Sequence, residues 1–189
     1  MRRIFSRHSD DEVRILELFR NGDPAASRAL YDGYAAYLTG VCSRYVSGDE
    51  NVEDVLHDSF IAIFRDIGTF EYRGKGSLKA WLARIAVNRS LKFLRDSRRM
   101  VISDIDDAGE VEVEDEPDTA FIPPGVIHDM IRRLPDGYRT VFNLYVIEEC
   151  SHREIARMLG ITESTSASQL HRAKAMLALM IREYQDRIR

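Results

Sequence analysis

The sequence predicts an all-α protein of two small helical domains joined by a flexible acidic linker. Apolar residues recur at three- and four-residue spacing along most of the chain, the period of a helix with one buried face. Strand-type alternation is confined to Val111 and Val113, inside an acidic stretch. That stretch, Asp104 to Asp118, holds nine acidic residues and is followed by Pro123, Pro124 and Gly125. It has too little apolar surface to fold on its own and reads as a linker over 100–124, between domains at 10–99 and 125–187.

The charge follows the same division. The chain of 189 residues carries 31 acidic and 27 basic side chains, a net −4. Setting aside the nine linker acids leaves 22 acidic against 27 basic residues, so the folded parts are mildly basic at +5. Bulk acidity therefore does not exclude an anionic partner. No apolar run approaches the roughly 20 residues that span a bilayer, and the opening MRRIFSRHSDDEV has no signal-peptide core. No membrane insertion and a cytoplasmic location are expected. Cys42 and Cys150 lack metal-type spacing and read as free thiols in a reducing compartment.

In the first domain, Asp23-Pro24 reads as an N-cap with proline in the first turn, opening a helix to about Tyr45 that buries Leu30, Tyr34, Tyr37, Leu38 and Val41. The most periodic segment follows. Val52, Val55, Leu56, Ser59, Phe60, Ile63, Phe64 and Ile67 share one face, and Gly68 ends it. Its other face presents Glu53, Asp54, His57, Asp58 and Arg65, by itself only a solvated face. A loop, TFEYRGKG, then leads to Ser77 as N-cap of a helix over 78–98, with Leu78, Leu82, Ile85 and Phe93 inward.

On that helix Arg84, Asn88, Lys92, Arg95 and Arg99 fall within an arc of about 80° at 100° per residue. Trp81 borders the arc, and the loop before it carries Tyr72, Arg73, Lys75 and Gly76. A basic stripe beside an aromatic suits a nucleic-acid backbone with unstacked bases. The pattern alone equally fits a solvated basic face.

In the second domain Val126, Met130 and Leu134 suggest a short helix ending at Pro135, and Tyr138, Val141, Phe142, Tyr145 and Val146 an amphipathic one. The segment SHREIARMLGITESTSASQLHRAKAM carries the sharpest signal. Ser151 and Glu154 form a capping box, Gly160 permits the left-handed turn, and Thr162 caps the next helix. Leu170, Ala173, Leu177 and Ile181 bury one face, while Thr165, Ser168, Gln169, His171 and Arg172 are read onto the other. A short helix, a glycine turn and a second amphipathic helix with a basic end are the signature of a helix-turn-helix DNA reader. An enzyme reading finds no support: the five histidines are scattered, and no H-E-x-x-H or P-loop pattern occurs. Neither catalysis, cofactor nor metal is expected.

Three blocks together resemble the extracytoplasmic-function (ECF) sigma factors, group IV of the primary sigma factor family. NVEDVLHDSFIAIF resembles the helix that binds the clamp of the largest subunit of core RNA polymerase. FEYRGKGSLKAWLARIAVNRSLKFLRDSRR resembles the segment that recognises and melts the −10 promoter element. IRRLPDGYRTVFNLYVIEECSHREIARMLGITESTSASQLHRAKAML resembles the −35-binding domain. The resemblance implies a sigma region 2 helical bundle and a sigma region 4 helix-turn-helix domain. It also implies promoter DNA and core polymerase as partners, and an anti-sigma factor as antagonist.

On this reading Glu53, Asp54, His57 and Asp58 dock the clamp. Tyr72, Arg73, Lys75, Gly76 and Ser77, with Trp81, Arg84, Asn88, Lys92 and Arg95, capture and hold the −10 strand. Thr165, Ser168, Gln169, His171 and Arg172 face the −35 groove. The chain departs from the family pattern with His57 for a frequent glutamine, and with Ser166, Ala167 and Gln169 where aliphatic or basic residues are common. The acidic linker would thread polymerase channels as a nucleic-acid mimic, or serve as a soluble tether. A stand-alone helix-turn-helix transcriptional regulator is the alternative. It predicts a dimer on a palindromic site and leaves the 52–67 helix and the Tyr72–Arg99 surface without a task.

Overall fold

The computed structural model describes residues 4–97, 119 and 121–188, with side chains from residue 11 onward. The acidic block, Val111, Val113 and Arg99 lie outside these. Among the described residues every regular element is helical, in two compact units, Met1–Leu94 and Arg95–Arg189.

The first unit opens with a helix that the sequence reading did not assign, α1 at Ile4–Arg20, which buries Ile15 and Leu16 against α2, Ala26–Ser43. The helix starts two residues later than expected. Asp23 Oδ1 accepts from the Ala25 amide at 2.8 Å, so Pro24 and Ala25 form a turn and α2 starts at Ala26. α3 spans Asp49–Asp66, with Asp49 and Glu50 in the first turn, where the helix dipole favours carboxylates. Val52, Val55, Phe60 and Ile63 face the core, each worth about 1.5–3 kcal/mol when fully buried. Gly68 does not stop α3 by a left-handed turn. It lies inside a 3-10 turn, Ile67–Thr69, that continues the helix.

The fourth helix, α4, runs Ser77–Asp96. Small polar side chains bring three helices together. The buried Cys42 thiol of α2 lies within hydrogen-bonding reach of Ser59 on α3 and Ser90 on α4. Each serine hydroxyl already donates to the carbonyl four residues back, at 2.6 and 2.8 Å.

The second unit begins before the expected boundary at residue 125. Ile122 packs with Met130, Leu134, Ala173, Leu177 and Ile181, and α5 spans Pro124–Arg132. Arg139, 3% exposed, ties α5 to α6 (Asp136–Phe142). Its guanidinium donates to the carbonyls of Arg132 and Leu134 and pairs with Asp136 at 2.6 Å. α6 then loosens into a π turn, Asn143–Ile147, in which the Glu148 amide donates to the Asn143 carbonyl at 3.0 Å. The wider turn shifts the helical phase. Tyr145 and Val146, expected inward, are instead 39% and 42% exposed, and Leu144 takes the buried position. α7, His152–Leu159, and α8, Glu163–Ile188, complete the unit, with α6 and α7 packed on α8.

Candidate nucleic-acid interfaces

The first surface is built around the start of α4. Gly74 and Gly76 adopt φ of +110° and +86°, so the preceding loop reverses at positions where a side chain would be strained. Ser77 does not cap α4 as expected. Its hydroxyl accepts from the Arg73 amide at 3.2 Å and so folds the loop back on itself. Phe70 and Trp81 meet at 5.1 Å between ring centroids, tilted by 46°. They border an open cleft of about 720 Å³ lined also by Thr69, Arg73, Ser77 and Arg84. Arg73 and Lys75 are exposed, and Tyr72 is half-buried. Arg84, Asn88, Lys92 and Arg95 are all exposed, as a single stripe requires. The cleft offers two aromatic faces, two guanidinium groups and a continuing cationic ridge. That is the chemistry of single-stranded nucleic acid held by stacking and phosphate contacts. Phe70 escaped the sequence reading because it sits outside any helical repeat.

The second surface is the helix-turn-helix. The capping box forms in full: the Ser151 amide donates to Glu154 Oε2 at 2.9 Å, and the Glu154 amide to Ser151 Oγ at 3.3 Å. Gly160 ends α7 at φ +70°, and Thr162 Oγ1 accepts from the Thr165 amide at 3.0 Å. These local bonds fix the angle at which α8 leaves the turn. Ser168 and His171 are exposed, and Thr165 and Arg172 half-buried. Gln169 is a correction. It is 5% exposed and turned inward, with Oε1 lacking a hydrogen-bond partner among the described residues. At 100° per residue it lies only about 40° from buried Ala173. As placed, it cannot present its amide to a groove.

The third surface is the outer side of α3, where Glu53, Asp54, His57 and Asp58 are all exposed. They share it with apolar groups. Tyr31, Ile61 and Phe64 are 48%, 54% and 36% exposed and border a groove of about 820 Å³, with the Phe60 ring tilted against Tyr31 at 4.7 Å. Phe64, expected on the inward face with Phe60 and Ile63, is instead exposed at the edge of this groove. Among the described residues no cluster of histidine, cysteine and carboxylate side chains could hold a metal ion. Among them, too, no helix is long and apolar enough to cross a membrane.

Known proteins carry the same plan. Residues 30–100 match the family described as Sigma-70 region 2, and residues 125–177 match Sigma-70, region 4. The ECF RNA polymerase sigma-E factor of Haemophilus influenzae is 30% identical over 175 residues, which cover 86% of this chain and 91% of that protein. The chain belongs to the ECF sigma factors. The RNA polymerase sigma-H factor of Pseudomonas aeruginosa is 28% identical, with 87% of this chain and 91% of that protein covered. SigW of Bacillus subtilis is likewise 28% identical, at 87% and 93%. Among solved structures, CnrH in complex with the cytosolic domain of CnrY shares the fold at a TM-score of 0.50 and 19% identity, covering 92% and 98% of the two chains. As a group IV sigma factor, this protein binds core RNA polymerase, recognises promoter DNA and directs transcription initiation. The stand-alone regulator reading falls away.

Proposed function

We propose the following division of labour within the sigma factor. The cleft between Phe70 and Trp81, with the loop Tyr72, Arg73, Lys75, Gly76 and Ser77, receives a base extruded from the −10 element. Extrusion costs a few kcal/mol of unstacking, which stacking and hydrogen bonding in such a cleft can offset. Arg84, Asn88, Lys92 and Arg95 then hold the adjoining non-template strand. Thr165, Ser168, His171 and Arg172 face the −35 major groove, and Gln169 supports the helix from inside. Glu53, Asp54, His57 and Asp58 dock the clamp of the largest polymerase subunit, with the apolar groove beside them enlarging that interface.

The observation that carries this reading is the joining of paired aromatics to an exposed cationic stripe at one helix start. The factor works in the cytoplasm without catalytic chemistry or a cofactor of its own. Domains at 10–99 and 125–187 perform the −10 and −35 tasks, tethered by 100–124. A dedicated anti-sigma factor restrains it.

Holoenzyme reconstituted from the purified chain and core polymerase, applied to a randomised promoter library, tests the assignment. Trp81→Ala should impair opening but not assembly. Arg172→Ala should relax preference in the −35 element alone, and Asp54→Ala with Asp58→Ala should weaken assembly. Variants that all lose the same step would refute the division.

A further inference from the structure

The loop at the −10 cleft is held by a residue from outside the segment that matches Sigma-70 region 2, which starts at residue 30. Glu12, on α1, is 3% exposed. Its Oε2 accepts from the Gly76 amide at 2.9 Å and its Oε1 from the Lys79 amide at 3.2 Å. Gly76 directly precedes α4, and Lys79 is its third residue. In a capping box, those two amides are satisfied by side chains of the same two positions. Here the first position has no side chain and the third carries a cation, so neither can serve. Glu12 supplies both bonds from 64 residues away.

Its environment is specific to that task. The Tyr34 hydroxyl on α2 donates to Glu12 Oε1 at 3.5 Å. Lys79 Nζ lies over the Tyr37 ring, at 4.3 Å. A buried carboxylate has few tolerable geometries, because each unmet acceptor is costly. It therefore fixes where the loop ends, whereas Gly74 and Gly76 permit many paths and select none.

We propose that Glu12 is a positioning residue for promoter opening, capping α4 from α1 so that residues 73–77 meet the Trp81 cleft in the geometry that selects a −10 base. The inference rests on the cleft reading given above. A loop free to move would still attract phosphates, through Arg73 and Lys75, but would discriminate poorly between bases.

The test uses holoenzyme made with the full chain and core polymerase. The probes are fluorescent single-stranded −10 oligonucleotides, one carrying the sequence selected from a promoter library and others with single base replacements. The readout is the affinity ratio of selected to replaced base, a quantity that general loss of folded protein does not move. Glu12→Ala should compress the ratio about tenfold, equivalent to about 1.4 kcal/mol, and Glu12→Gln, which keeps one acceptor, should compress it less. Adding Lys79→Glu to Glu12→Ala places a carboxylate in the third position, within reach of the Gly76 amide, and should restore much of the ratio. If Glu12→Ala does not fold, Glu12→Gln carries the measurement. The positioning role is overturned if the ratio keeps its wild-type value in the Glu12 variants while Trp81→Ala lowers it, or if Lys79→Glu restores nothing. A ratio untouched by Trp81→Ala as well sinks the cleft reading, and the positioning role with it.

Discussion

His152 Nδ1 lies 2.9 Å from Ser166 Oγ, a side-chain hydrogen bond that joins α7 to α8 inside the helix-turn-helix. Ser166 is fully buried and the imidazole stacks on Tyr145 at 4.7 Å. The pair gives a hydroxyl buried inside the helix-turn-helix a side-chain partner. Ser166→Ala removes one partner and leaves the ring nitrogen unmet, which should cost the second unit about 1 kcal/mol. The chain has a single tryptophan, Trp81, in the first unit. Urea unfolding should therefore shift when followed by circular dichroism and stay in place when followed by tryptophan fluorescence.

Arg172 and Gln169 should behave in opposite ways. Arg172→Ala is expected to weaken promoter binding by about 1–3 kcal/mol and relax preference at one −35 position. Gln169→Leu removes a buried oxygen that has no partner among the described residues, so stability should hold or rise and −35 preference should persist. Filter binding with point-mutated promoters reads both. Lost −35 preference in Gln169→Leu would return that side chain to the groove.

Trp81→Ala should remove about 1–3 kcal/mol of stacking with a single unstacked base. Holoenzyme affinity for a single-stranded −10 oligonucleotide measures it. Phe70→Ala should follow in the same direction, since the two rings are partners.

Arg84, Lys92 and Arg95 are exposed and are assigned to the strand backbone. Replacing each with alanine should flatten the dependence of log affinity on log salt by about 0.7 for every single-strand phosphate that the side chain had neutralised. Base preference should change little. A variant that alters preference and leaves the slope intact would assign that residue to a base instead.

Burial pushes the Cys42 thiol above its ordinary value of 9.0, against the smaller pull of the Ser90 and Ser59 hydroxyls. Between pH 9 and the higher folded value, the unfolded chain loses a proton that the folded chain keeps. Stability contributed by this group is thus full below pH 9 and falls as pH rises through that window. Cys42→Ser should blunt the fall. With a thiol reagent at pH 8, half-buried Cys150 should react well before Cys42.

What was legible in the sequence was local. The helix-turn-helix could be read because capping box, glycine turn and caps act within a few residues, and the structure forms each of those bonds. The stripe from Arg84 to Arg95 followed from helical period alone. Three kinds of feature escaped. Glu12 works across 64 residues, and nothing near it in sequence marks a distant helix start. Gln169 was read by its polarity, yet its spacing from Ser166 and Ala173 places it with the buried set. The outward Tyr145 and Val146 depend on a change of helical pitch that a fixed 100° period cannot register.

That change of pitch has an evolutionary consequence. A π turn is a helix that has absorbed one additional residue, so the apolar triplet Tyr145, Val146 and Ile147 reaches solvent through chain length more than through composition. Deleting the codon for residue 143 or 144 would restore an ordinary α-helical phase and rotate the triplet by about 100°, with no neighbouring amino acid altered. Such a face can be gained or erased in one genetic event, whereas building it by substitution would take several, each tolerated in turn by the core beneath.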